Sequence, residues 1–250
     1  MPLIRDRAIV LKRLDFRESS QVIAVLTREH GMVRLIAKGS RRSTKKRFNP
    51  GIDLLESGEL VLSVRHVRQE ALANLTEWKQ GRAFLGLRDR LERLNAALYA
   101  ADAVARLTED WDPHPGLFDA LFETLEALSG SDCALRPITA FQRALLNEVG
   151  LSPCLDACVG CGGALGASPD IYFTSFEGGL ICRDCEPARV EKRLVTCRLE
   201  NLQTGVYPTD ADLFGAFDLF DYHLSHLIGR APAAAAFLKQ LSVAHRQRPI

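Results

Sequence analysis

Hydrophobic positions in the first 80 residues come in short runs between polar or charged connections. Ala8–Leu14 and Gln21–Thr27 are rich in Ile, Val and Leu, and a turn through Glu29-His30-Gly31 leads into Met32–Ala37. Gly31 suits that turn because glycine accepts the positive φ that a tight turn often needs. Lys38–Pro50 has no hydrophobic periodicity and reads as a loop, after which Asp53–Glu56 and Glu59–Val67 read as strands joined across Ser57-Gly58. Four or five short strands within 80 residues predict a small barrel, closed or partly open. An oligonucleotide-binding (OB) barrel has that size, and an SH3-like barrel fits almost as well.

From about Gln80 the spacing turns helical. Phe84, Leu87, Leu91, Leu94 and Leu98 recur every three or four residues and the stripe runs on toward Val104 and Leu107. The two prolines of Asp110–Pro115 end it. A second helix follows through Leu117, Leu121, Leu125 and Leu128 to Ser129-Gly130-Ser131, and a third through Ile138, Phe141, Leu145 and Val149 to Gly150. The pattern returns in Leu213–Ile228 and Ala233–Val243. The predicted architecture is α+β and multidomain: a barrel over 1–80, a helical bundle over 81–150 and 187–250, and a cysteine-rich insert over 151–186.

That insert carries the sharpest local signal. Cys158-x2-Cys161 and Cys182-x2-Cys185 form two knuckles 20 residues apart, with Gly160, Gly162 and Gly163 suited to the turns and a short hairpin, Tyr172–Phe176 and Gly179–Ile181, between them. Tetrahedral zinc needs four thiolates at about 2.3 Å, and two such knuckles supply them. The reading is one structural Zn2+ held by Cys158, Cys161, Cys182 and Cys185. An iron–sulfur site also uses four cysteines, whereas a thioredoxin-like pair explains only one knuckle and lacks a βαβ setting. Cys154, Cys133 and Cys197 are expected to be ordinary thiols.

Charge divides the chain further. Residues 1–82 hold 17 Lys and Arg against 9 Asp and Glu, while the remainder holds 15 against 22. Seven of the basic residues, Arg34, Lys38, Arg41, Arg42, Lys45, Lys46 and Arg47, fall within fourteen positions that contain no acid. Such a run is often only a solvated face. Emerging from an OB-type barrel, it can instead lie along a phosphate backbone, with Phe48 or Phe16 available to stack on bases.

Other chemistry is poorly represented. There is no Walker-type loop and no Gly-x-Ser-x-Gly elbow. His223 and His226, near Asp218 and Asp221, are read as a half-exposed helix face, and Asp110-Trp111-Asp112-Pro113-His114 as a connecting loop. The chain is expected not to be an enzyme. No apolar run approaches 18 residues, and Met1–Lys12 lacks a signal-peptide core, so a cytoplasmic protein with no membrane contact is expected.

Taken in order, Ala8–Lys12, Glu18-Ser19-Ser20, Leu26-Thr27-Arg28-Glu29-His30-Gly31 and Ala37-Lys38-Gly39 with Arg41-Arg42 resemble the bacterial recombination mediator family RecO. Gly150-Leu151-Ser152-Pro153-Cys154-Leu155-Asp156, the two knuckles, Tyr172-Phe173 and Gly178-Gly179-Leu180 resemble the same family's zinc segment. One departure lies near the C-terminus. The family often has a basic-and-serine segment there, where this chain has Gly229-Arg230-Ala231-Pro232 and then Ala233–Ala236. The resemblance implies an OB barrel, a helical bundle and an inserted zinc finger. It also implies a nucleoid-associated role in recombinational repair: binding single- and double-stranded DNA, annealing strands, and working with RecR to load RecA on strands coated with single-strand-binding protein, whose C-terminal tail is a partner. A zinc-ribbon OB protein that binds RNA, or a zinc-ribbon nuclease, is the alternative from another class.

Overall fold

The computed structural model describes residues 2–40, 52–64, 72–165 and 170–246, with side chains through residue 240. The chain divides into two compact units, Met1–Ser131 and Asp132–Ile250.

In the first unit β1 (Leu3–Phe16), β2 (Ser20–Thr27), β3 (Gly31–Ala37), β4 (Ser57–Ser63) and β5 (Ala73–Gln80) close a barrel in the order β1-β2-β3-β5-β4. β1 pairs antiparallel with both β2 and β4, and a short parallel pairing of β3 with β5 joins the two ends of the meander. That parallel closure gives the OB topology and excludes the SH3-like alternative. Alternation places Ala8, Val10, Ile23, Val25, Val33, Leu35, Leu60 and Leu62 in the interior, all at most 1% exposed.

Two strand expectations are corrected. Asp53–Glu56 is a turn rather than a strand: Leu55 has φ 65°, and its backbone meets β1 through the Leu55 N–H to the Val10 carbonyl and the Val10 N–H to the Glu56 carbonyl rather than along a ladder. Ser57-Gly58 therefore opens β4 instead of turning between strands, and the fifth strand is Ala73–Gln80.

The barrel interior is completed from outside the strands. α1 (Leu91–Leu107) and α2 (Pro115–Gly130) belong to this unit, and Trp111, in the loop between them, lies in the barrel's core at 6% exposure. Its N–H donates to the Met32 carbonyl at 2.9 Å, and its φ is 63°. Gly31 (φ 71°) makes room: a Cβ there would sit 1.9 Å from the Asp112 carbonyl oxygen. The Asp110–Pro115 segment is thus a connection, as expected, but one that plugs the barrel.

The helical stripe is also shifted. Phe84 has φ 45° and a 3-10 turn covers Leu85–Arg88, so α1 starts only at Leu91, which is 63% exposed. Its buried face is Ala96, Ala97, Tyr99, Ala100, Ala103 and Val104. Small residues let the helix come close to its neighbours, and leucines at Leu94 and Leu98 stay half-buried. Arg93, 9% exposed, reaches from this helix to the Ser131, Ser129 and Gly86 carbonyls at 2.8, 2.9 and 3.2 Å. Carbonyls at a helix end need such donors. Arg93→Met is expected to cost about 2–4 kcal/mol, since it strips buried acceptors of a charged partner, and urea unfolding of the whole chain measures it. An unchanged midpoint would refute this role.

The second unit holds α3 (Leu135–Glu148), a small sheet of β6 (Tyr172–Thr174), β7 (Gly179–Ile181) and β8 (Arg193–Leu194), then α4 (Leu199–Thr204), α5 (Asp210–Ile228) and α6 (Ala235–Arg246). α3 stops at Gly150 (φ 71°) and α5 at Gly229 (φ 80°), with the Thr209 hydroxyl accepting from the Asp212 N–H at the start of α5. β6 lies between β7 and β8, and its Phe173 is fully buried against Tyr222 and His223 of α5, ring centroids 6.4 and 5.3 Å apart.

Candidate metal centre and nucleic-acid interface

The two Cys-x2-Cys knuckles meet. The sulfurs of Cys158, Cys161, Cys182 and Cys185 all lie within 4.8 Å of one another, with Cys161 and Cys182 Sγ 4.0 Å apart. Four thiolates at about 2.3 Å from one ion stand about 3.8 Å apart at the corners of a tetrahedron, so the cluster has the size to hold a single metal ion. Backbone geometry builds it. The Gly162 N–H donates to the Cys158 carbonyl and the Cys185 N–H to the Cys182 carbonyl, closing one turn per knuckle. Gly160 leaves the space the opposite knuckle needs, because a Cβ there would lie 3.1 Å from Cys185 Sγ.

Electrostatics point the same way. Burial opposes ionisation of Cys158, yet N–H groups of Cys182, Cys161 and Gly160 outweigh it and draw the thiol down to about 6. Hydrogen bonds to Cys182 and Cys161 push the Cys185 thiol up to about 12. Four thiols this close resist ionising together unless a cation stands between them. Cys154 is exposed, with its sulfur on the Ala157 carbonyl rather than in the cluster, and burial pushes the Cys197 thiol up to about 12. Both are the ordinary thiols expected.

His223 departs from the expected half-exposed face. It is 2% exposed, its Nδ1 is 2.8 Å from the Ser175 hydroxyl, and burial lowers its pKa. Asp218 pairs with Arg193 and Lys239, and Lys239 also reaches Asp221 at 2.6 Å. These residues fasten the small sheet and α6 to α5; among the described residues the possible metal cluster is the cysteine one.

On the barrel, the outer face of β1–β3 divides in two. Ile9, Leu26 and Met32 are buried at one end. Toward the other end the outward positions are open. Lys12, Ala24 and Arg34 form one row across the three strands, and Leu14, Val22 and Ile36 form the next. Leu14 is 67% and Phe16 40% exposed, and the Arg17 guanidinium lies 5.2 Å from the Phe16 ring centre. Lys38, just past β3, is exposed. The face thus combines cations with an apolar strip and an accessible ring.

Of the basic residues singled out in the sequence, Arg34 and Lys38 lie at this face. Arg41, Arg42, Lys45, Lys46, Arg47 and the ring of Phe48 fall outside the described residues. Lys12, Leu14 and Arg17 were not singled out. Strict alternation from Ala8 and Val10 would point Lys12 and Leu14 inward; the bulge at Leu11 turns them outward, Arg17 lies just past the end of β1, and only the placement of the helices shows which outward positions stay uncovered. A cleft of about 1060 Å³ on the β1–β4–β5 side is less suited to a polyanion: its cations Arg5, Arg7, Arg28 and Lys79 face Asp6, Glu29, Glu59 and Glu77. Among the described residues, no helix is long and apolar enough to cross a membrane.

Comparison with known proteins agrees with this architecture. A family described as Recombination protein O N terminal matches residues 1–84, and one described as Recombination protein O C terminal matches residues 88–199. The DNA repair protein RecO of Anaeromyxobacter sp. (strain Fw109-5) is 33% identical over 244 residues, covering 93% of this chain and 94% of that protein. The DNA repair protein RecO of Myxococcus xanthus is 31% identical over 246 residues, with 95% and 98% covered. That of Rhodopirellula baltica is 34% identical over 183 residues. With its barrel and its cysteine-bearing half both matched, the chain belongs to the RecO family of recombination and DNA repair proteins.

Proposed function

We propose that the protein is a non-enzymatic recombination mediator of the bacterial nucleoid. It binds single- and double-stranded DNA, anneals complementary strands and, with RecR, helps load RecA onto strands coated with single-strand-binding protein, engaging that protein's C-terminal tail. The observation that carries the DNA-binding part is the open outer face of β1–β3. Lys12, Arg34 and Lys38 offer charge, Leu14, Val22, Ile36 and Phe16 offer apolar and aromatic surface, and the basic stretch ending at Arg47 follows directly in the chain. Single strands bind OB barrels by that combination of phosphate contact and base packing.

In this reading the four cysteines hold one zinc ion. Four thiolates close its coordination shell, and bound zinc supplies a cross-link between the two knuckles. Cys158, whose thiol backbone N–H groups draw down, and Cys182, whose N–H donates to the Cys158 sulfur at 3.3 Å, anchor the inner side of that shell.

The deciding experiment is annealing of complementary strands coated with single-strand-binding protein, with and without RecR. Faster annealing supports the proposal; absence of both annealing and DNA binding refutes it. Tighter binding of a matched RNA strand would favour an RNA-binding module instead.

Changing Arg41, Arg42, Lys45 and Lys46 together to Ala is expected to weaken binding with little change in Tm, because the sequence around them lacks the hydrophobic periodicity of a packed element and surface charges contribute little to folding. With roughly 3–4 phosphates engaged, log K should fall against log salt with a slope of about −2 to −3, and the quadruple variant should flatten it. Lower affinity with an unchanged slope would mean that other residues contact the phosphates.

A further inference from the structure

Lys12 and Arg34, the two cations of the open β1–β3 row, are each held by a carboxylate from the segment that follows the barrel. Lys12 Nζ lies 3.4 Å from Asp102 Oδ1, and Arg34 Nε lies 3.5 Å from Asp110 Oδ2. The cations' side chains are 50% and 54% exposed, within reach of a phosphate, whereas the two carboxylates are only 12% and 30% exposed. Both acids are fixed in place. Asp102 also pairs with Arg106 at 2.8 Å, and the backbone at Asp110 bridges to Met32 of β3.

We infer that Asp102 and Asp110 are resident competitors of the DNA backbone, anions that a phosphate must displace from Lys12 and Arg34 before the strand can settle on the row. The inference rests on the reading of this face as the DNA site. Arg106 stays with Asp102 when Lys12 leaves, whereas Asp110, whose Oδ1 is buried without a hydrogen bond among the described residues, gives up its described ion pair when Arg34 leaves, so the Arg34 half of the exchange is the costlier one. The exchange weakens binding in a specific way. A phosphate that takes a free lysine releases condensed counterions, but one that takes a lysine from a carboxylate leaves an anion behind, which recruits a cation in turn. The salt dependence from that contact is smaller than that of a free lysine. A strand held so is shed and re-bound easily, a property useful to a protein that must hand strands to one another.

The test is binding of a fluorescein-labelled oligothymidylate across a salt series, with Tm measured alongside. Asp102→Asn and Asp110→Asn keep shape and remove charge. Each is expected to tighten binding about two- to fivefold, in keeping with the strength of exposed ion pairs, and to steepen the slope by a fraction of the about 0.7 that one full contact contributes. Glu77→Gln, an exposed acid on β5, sets the background effect of removing one negative charge from the barrel. Gains no larger than that background overturn the inference. Lys12→Gln with Arg34→Gln separates the two levels. If that pair of changes weakens binding while the Asp variants do nothing, the face remains the DNA site without the competition; if neither set has an effect, both readings fall.

Discussion

Removing the metal from the cysteine cluster should unfold the small sheet while leaving the barrel standing. In hydrogen exchange, amides of β6 and β7 and of the two knuckles should lose their protection after chelation, or in Cys158→Ser and Cys182→Ser, while amides of β1–β3 keep theirs. The magnitude follows from what holds this segment. Its strands are three, three and two residues long, far too short for independent stability, and the knuckle turns rest on one or two backbone hydrogen bonds apiece. A structural metal contributes folding free energy on the order of 10 kcal/mol to such a segment. The effect should reach α5 as well, because Phe173 and Ser175 are the groups that cover His223. Elemental analysis of freshly purified, reduced protein should give about one zinc per chain. Iron, or full protection after chelation, would overturn the assignment.

A second large effect is expected far from any ligand. Trp111→Ala should destabilise the first unit by about 3–5 kcal/mol, as truncation of a buried aromatic does, and lower its Tm by roughly 10–20 °C. Gly31→Val should be comparably severe. It places a branched side chain where even a Cβ lies 1.9 Å from the Asp112 carbonyl oxygen, at a φ that valine avoids. The readout is convenient. The chain's two tryptophans, Trp78 and Trp111, both lie in the barrel core, so intrinsic fluorescence during urea unfolding follows this unit alone, and Trp78 reports in the Trp111 variant. An unchanged midpoint would mean that the plug contributes nothing to the barrel.

Local features were the ones legible in the sequence. The four metal ligands could be named because each knuckle is a turn encoded by its own spacing. β2 and β3 could be read because alternation there is unbroken. β5 was missed for a reason visible in its pairing: the register shifts between Val61 and Leu62, which face Glu77 and Leu75, so Thr76 is an extra residue. Leu75 and Trp78 consequently stand three apart yet share the interior, and a search for period two passes over them. The Leu54-Leu55 pair misled in the opposite sense, reading as strand although its backbone turns through a positive φ at Leu55. In α1 the leucines drew the eye to a face that is partly exposed, while the buried face is built of alanine. Position along the chain could not show that Asp102 and Asp110 would stand beside Lys12 and Arg34. Those pairs depend on where α1 lands.

The plug at Trp111 sets the order in which this protein can be made. Strands β1–β5 have all been synthesised by Gln80, but the residue that finishes their core comes 31 positions later. At translation speeds of about 5–20 residues per second, roughly 2–6 s pass with the barrel's interior incomplete. During that interval a nascent chain carries an apolar opening beside Gly31, a surface for chaperones to shield. The same geometry bears on how the gene can be cut. A fragment ending at residue 84, where the N-terminal family match stops, would contain all five barrel strands and still lack the stopper; one ending at Ser131 would carry it.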